Sequence, residues 1–312
     1  MSNNELEKKG VKIYGGLQPK TEDKRDARYG ALFGLPGLEE LPTDFSIVPL
    51  AVKDQQDLDD CTGNGVTEAS EIQEGVELDP VFQFAMTKKI TGESVDAWGA
   101  QIRDAIKSAI KVGSLEVADV PPNLRYNGSN RDFIVNPANW PENLVKKAAS
   151  HKKKAFASVE SPQYDLFDSI RATLWQANKE FVATGDKSKR KIVITGNLWR
   201  HQWTPAPDGV IPEQFYEGAF GHCFVIVGWK VIGEQMYLIA LLSNGTSIGV
   251  GGYYFFSPIV ANRELPFGGG WTLIDADPEH VKQLTQLNLS MNWLWLARIV
   301  VAIRNFFTKK TV

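Results

Sequence analysis

The strongest constraint on this chain is a change of character near its middle. In the first half, apolar residues recur at helical spacing. Val66, Ala69, Ile72 and Val76 lie on one face after Cys61, and Asp59 and Asp60 stand where a helix cap belongs. Ile102, Ala105, Ile106, Ala109 and Ile110 form a second such face within 98–112, with Gly113 as its stop. Segments 141–150 and 164–182 also read as helices. From residue 191 onward the pattern becomes short β-branched or aromatic runs, at 191–196, 223–229, 236–242 and 252–256, several bounded by glycine. Helices followed by strands predict an α+β fold, with a helical half and an antiparallel β-rich half packed around one cleft.

Composition removes several classes. Apolar residues make up 43% and charged residues 23% of the 312, enough for a sizeable core. Two cysteines cannot staple a secreted scaffold. With 34 basic against 37 acidic side chains the net charge is −3, so no nucleic-acid partner is expected. The polar start MSNNELEKKG has no apolar signal region, which predicts a cytoplasmic site of synthesis. No stretch of about 20 apolar residues lacks charge, so no ordinary transmembrane helix is expected. The lysines 146, 147, 152, 153 and 154 read as a solvated helix face.

The four histidines, 151, 201, 222 and 280, show no zinc-site spacing, and no phosphate loop or nucleophile-elbow motif is present. No metal or cofactor is expected. What remains is a Cys–His pair. Cys61 opens a predicted helix, whose positive end favours the thiolate. His222 begins a predicted strand far along the chain, as a catalytic partner close in space would. Taken alone, either cysteine is more simply a small buried hydrophobe. Cys223 is expected to be one, because alternation turns it away from the side of His222. His201 reads as a loop or edge-strand residue, and Trp199 and Trp203 as core.

The surroundings of this pair resemble the papain-like cysteine peptidases, most closely their disulfide-free bacterial and phage-type members. Val52-Lys53-Asp54-Gln55-Gln56-Asp57-Leu58-Asp59-Asp60-Cys61-Thr62 is similar to the family's oxyanion-glutamine and nucleophile block, with Gln55 six positions before Cys61. Gly221-His222-Cys223-Phe224-Val225-Ile226-Val227-Gly228-Trp229 resembles the histidine strand, and Ser243-Asn244-Gly245-Thr246 through Gly252-Tyr253 the block after it. Pro19 to Tyr29 resembles the stretch that often precedes the first block. The resemblance spans roughly residues 14–275. It implies Cys61 as nucleophile, His222 as base and Gln55 as oxyanion donor, with a peptide or protein as substrate.

Three departures accompany it. Aligned without gaps, the family's third catalytic position, an asparagine, falls on Leu242. Asn244, two residues on and on the same face of a regular strand, is the candidate substitute. Gln56 replaces a glycine. Asp59 and Asp60 place two carboxylates beside the thiol, which raises its pKa.

The expected organisation is an extended arm at 1–41, a papain-like domain at 42–288 and an amphipathic C-terminal helix within 289–312. The helix carries tryptophans and an apolar face over 289–307, with Arg298 and Arg304 outside it; it suits its own domain, a protein partner or a membrane surface. The leading expectation is a thiol peptidase. The alternative is a weakly active or inactive papain-fold structural protein, for example a component of a virus particle.

Overall fold

The structure is a computed structural model. It describes residues 15–275 except 205, 217 and 218, together with 277, 279, 281–283 and 286. The expected C-terminal helix at 289–307 and His280 lie outside the described residues.

Eight helices of four residues or more are described: α1 (Tyr29–Phe33), α2 (Cys61–Glu74), α3 (Pro80–Thr91), α4 (Ile102–Lys111), α5 (Arg131–Ile134), α6 (Glu142–Ala148), α7 (Leu166–Thr184) and α8 (Pro258–Glu264). The strands are β1 (Phe45–Ser46), β2 (Ala155–Ser158), β3 (Val193–Arg200), β4 (Ala219–Ile232), β5 (Gln235–Leu241), β6 (Tyr253–Phe256) and β7 (Gly270–Ile274). They form one sheet in the order β2-β7-β3-β4-β5-β6, with β1 also paired to β4. All of these pairings are antiparallel. The expected α+β architecture is therefore present.

Local chemistry sets the helix ends. α3 starts where Asp79 accepts the Phe82 N–H and Pro80 fills the first turn, and it stops at Gly92 in the left-handed region. α7 starts on Asp165, which accepts the Asp168 N–H, and stops at Gly185. α2 also ends on a left-handed glycine, Gly75.

The sheet is covered on both faces, and β4 shows the division residue by residue. Phe224 and Ile226 pack with Phe167, Ile170 and Leu174 of α7 and Val260 of α8. Cys223, Val225 and Val227 pack with Val66, Ala69 and Ile72 of α2 and Ile102 and Ile106 of α4. Burial of each such aliphatic side chain contributes roughly 1.5–3 kcal/mol, so α2 is held firmly by its apolar face. That fixes where its first residue, Cys61, meets the end of β4. A third cluster, around Phe82, Phe84, Met86 and Trp140, packs α3 against the segment 115–148.

The lysine-rich stretch differs from a uniformly solvated face. Lys146 pairs with Glu142 at the surface, but Lys153 is buried and paired with Glu74. His151 lies between Glu74 and Glu116.

Candidate active site

The loop before α2 is pinned to the segment after β5. The Gln55 N–H donates to the Ser243 carbonyl at 2.8 Å, and the Ser243 hydroxyl donates to Gln55 Oε1 at 2.7 Å. Gln55 Nε2 donates to the Leu58 carbonyl at 2.7 Å. The side-chain amide is thus oriented from both ends and buried. The turn that achieves this needs a left-handed residue. Gln56 supplies it at φ 54°, the non-glycine residue with positive φ among those described. This conformation costs a residue with a Cβ about 1–2 kcal/mol.

Cys61 is the first residue of α2 and is completely buried. Its Sγ accepts the Cys223 N–H at 3.3 Å and the Gly16 N–H at 3.1 Å. Burial pushes the thiol pKa up to about 12; the two N–H groups oppose the shift, and the charges of Asp60 and Asp59 add to it. Burial therefore outweighs the two N–H groups, and this arrangement favours the neutral thiol.

The two carboxylates differ. Asp59 accepts Arg131 through both oxygens, at 2.7 and 2.8 Å, and also the Gly99 N–H at 2.9 Å. Its charge is locally balanced. Asp60 is buried, pushed up to about 8 by burial first and by Asp59 and Asp79 after it. Asp60 Oδ1 accepts the Asn64 amide at 3.0 Å, while Oδ2 has no hydrogen-bond partner among the described residues.

His222 pairs across the sheet with Asn197, and its ring lies 6.0 Å from that of Trp199 and 6.3 Å from that of Phe224. It is fully buried. The start of β4 brings the backbone beside His222 to Cys61, since the sulfur accepts the N–H of the residue following His222. Cys223 itself is buried on the α2 side of the sheet. Leu242 is buried in the same apolar cluster as Trp199 and Phe224, the ring neighbours of His222. Asn244 bridges Asp54, and among the described residues neither Oδ1 nor Nδ2 has a hydrogen-bond partner. Trp199 and Trp203 are core residues. His201 is exposed in the turn after β3, its ring 5.0 Å from that of Phe220.

Part of the expected arm covers the sulfur, at a place that no motif marks. Residues 15–18 cross the cleft as an extended strap. The Ala100 N–H donates to the Gly16 carbonyl at 2.7 Å, the Gln18 N–H to the Ala100 carbonyl at 2.9 Å, and the Leu17 N–H to the Gly221 carbonyl at 3.0 Å. The crossing is backbone on backbone. A Cβ on Gly16 would stand 1.7 Å from the Asp59 carbonyl oxygen, and one on Gly99, at φ +62°, 1.8 Å from the Gly16 oxygen. The strap presents an N–H to the sulfur rather than a carbonyl carbon. Beside Gly15 the cleft opens into a hollow of about 300 Å³ lined by Trp98, Arg131 and the carboxylates of Asp57, Asp59 and Asp96.

No protein-family model matches this chain, and no curated protein matches it. Solved structures do. Xylellain, a cysteine protease from Xylella fastidiosa, is similar at 19% identity and a TM-score of 0.62, over 85% of this chain and 97% of that one. The digestive procathepsin L2 proteinase of Tenebrio molitor larval midgut gives 16% identity and a TM-score of 0.54 over 88% and 80%. Bromelain from Ananas comosus, in complex with the E64 inhibitor, gives 14% and 0.52 over 75% and 98%. At these identities the likeness shows the papain-like fold.

Proposed function

We propose that the protein is a latent thiol hydrolase acting on peptide amide bonds, with Cys61 as nucleophile and His222 as base. The observation that carries this reading is the strap. The cleft beside Cys61 holds an extended polypeptide through Ala100 N–H, Ala100 C=O and Gly221 C=O. A groove that pairs with backbone groups accepts a peptide whatever its side chains.

With the strap displaced, Cys61 leaves its fully buried state and its pKa falls. His222 takes the thiol proton, and the thiolate attacks the carbonyl carbon of the substrate. The oxyanion is bound by Gln55 Nε2 and the Cys61 N–H, each such donor contributing about 2.7–4 kcal/mol. The imidazolium returns its proton to the leaving amine, and water then cleaves the thioester to release the acid and regenerate the thiol. No cofactor enters this scheme.

A second reading has its own support. Leu242 offers no hydrogen bond to orient an imidazole, which favours a papain-fold protein of weak or no activity that serves as a structural or interaction module, a virion component among the options.

The test is a fluorogenic peptide assay after the strap is lifted by Gly16→Val, with Cys61→Ala and His222→Ala in the same background. Hydrolysis lost in both substituted forms supports the enzyme. A Cys61 that reacts with iodoacetamide while no peptide in a diverse library is cut supports the structural reading.

A further inference from the structure

We propose that a cavity on the far side of α4 is a binding site for an organic anion with an apolar body, of the alkyl-carboxylate class. The cavity measures about 500 Å³, within the ~300–1,000 Å³ typical of small-molecule sites. It shares no lining residue with the hollow beside Gly15. Its lining brings five cationic side chains together with one carboxylate, Asp26. Ile110, Phe156 and Val281 supply an apolar wall.

The cations are not equally committed. Arg25 is held by Asp23 at 2.7 Å, Arg103 by Asp23 at 2.5 Å and Asp26 at 2.8 Å, and Lys107 by Asp104 at 2.9 Å. Lys154 is exposed and has no ion-pair partner among the described residues, and Lys282 has only a long contact, 3.7 Å, with Glu279. Two cations thus stand available beside an apolar wall. Long amine side chains lay their methylenes along such a wall and keep the charged ends at its rim. An alkyl chain with one carboxylate matches both parts. A bare anion leaves the wall wet, and an uncharged chain leaves the cations unmatched.

Isothermal titration calorimetry of the full chain with dodecanoate, below its micelle concentration and at low salt, tests this. One dodecanoate should bind per chain. Affinity should fall at least tenfold with Lys154→Glu/Lys282→Glu, both exposed positions, and should weaken as salt is raised. Dodecanol and acetate should each bind far more weakly. Ile110→Asp provides a second, independent variant through the wall and should also reduce affinity. Equal binding of dodecanol, or affinity unchanged in the charge-reversed variant, would overturn the site. So would no binding to the full chain. None of these readouts depends on peptide hydrolysis, so the proposal stands or falls apart from the proposed activity.

Discussion

The Gly16 N–H lies 3.1 Å from Cys61 Sγ and donates to it, so the segment that closes the cleft is bonded to the atom that would react. This contact belongs to a neutral thiol pushed up to about 12 by burial. Gly16→Ala puts a methyl group into the Asp59 carbonyl, 1.7 Å away, and the strap must lift. Exposure returns the thiol toward its ordinary pKa of about 8.5, and each unit of that return is worth tenfold in thiolate population. Iodoacetamide at pH 8 should therefore alkylate Cys61 about tenfold faster or more in the variant, with Cys223 unchanged. Equal rates at Cys61 in both forms would remove the strap from any gating role.

Asp60 predicts a pH dependence. Its folded pKa is raised from 3.8 to about 8, so the folded chain holds a proton that the unfolded chain releases. The contribution to stability is fully present below about pH 4 and is lost progressively as pH rises toward 8. Asp60→Asn keeps the shape and removes the titration. Chemical denaturation should find the variant more stable than wild type by several kcal/mol at pH 8, the scale of the shift between the two pKa values, and nearly equal to it at pH 4. The opposite ordering would mean that the carboxylate is stabilising as an anion.

Gln56 holds the left-handed turn that places Gln55. Gly removes the Cβ clash but loses more backbone entropy on folding, so the two effects partly offset. Gln56→Gly should stabilise the fold by about 0.5–1 kcal/mol, read as an increase in denaturation midpoint with unchanged slope.

The fold was legible in the sequence because its evidence was local. The faces of α2, α4 and α7 and the runs of β3 to β6 are carried by side-chain periodicity. α3 carries no such signal: Phe82, Gln83, Phe84, Ala85, Met86 and Thr87 are all buried, so it has no polar face and shows no stripe. β2 and β7 are too short to show a period, at four and five residues. At the site, Gln55, Cys61 and His222 are marked by spacing within motifs. The strap is not, because Gly15 and Gly16 act through backbone alone and carry no side-chain pattern. Arg131 lies 72 residues from the Asp59 it neutralises, and no local signal links them.

The last prediction concerns what stands behind the imidazole. Leu242 lies in the apolar cluster that contacts the rings around His222, while the Asn244 amide makes no hydrogen bond among the described residues. With the strap lifted by Gly16→Ala, Leu242→Asn puts a hydrogen-bonding group at the position where the fold can orient the ring. Orientation of this kind acts on the chemical step, so kcat for a fluorogenic peptide should rise about tenfold or more with KM little changed. The same substitution buries an amide among aromatic rings and should cost about 1–3 kcal/mol of stability. Asn244→Ala should leave kcat within about twofold, a change of under 0.5 kcal/mol in the barrier. If Asn244→Ala instead abolishes hydrolysis and Leu242→Asn does nothing, the segment shifts when the strap leaves and Asn244 is the residue that orients His222.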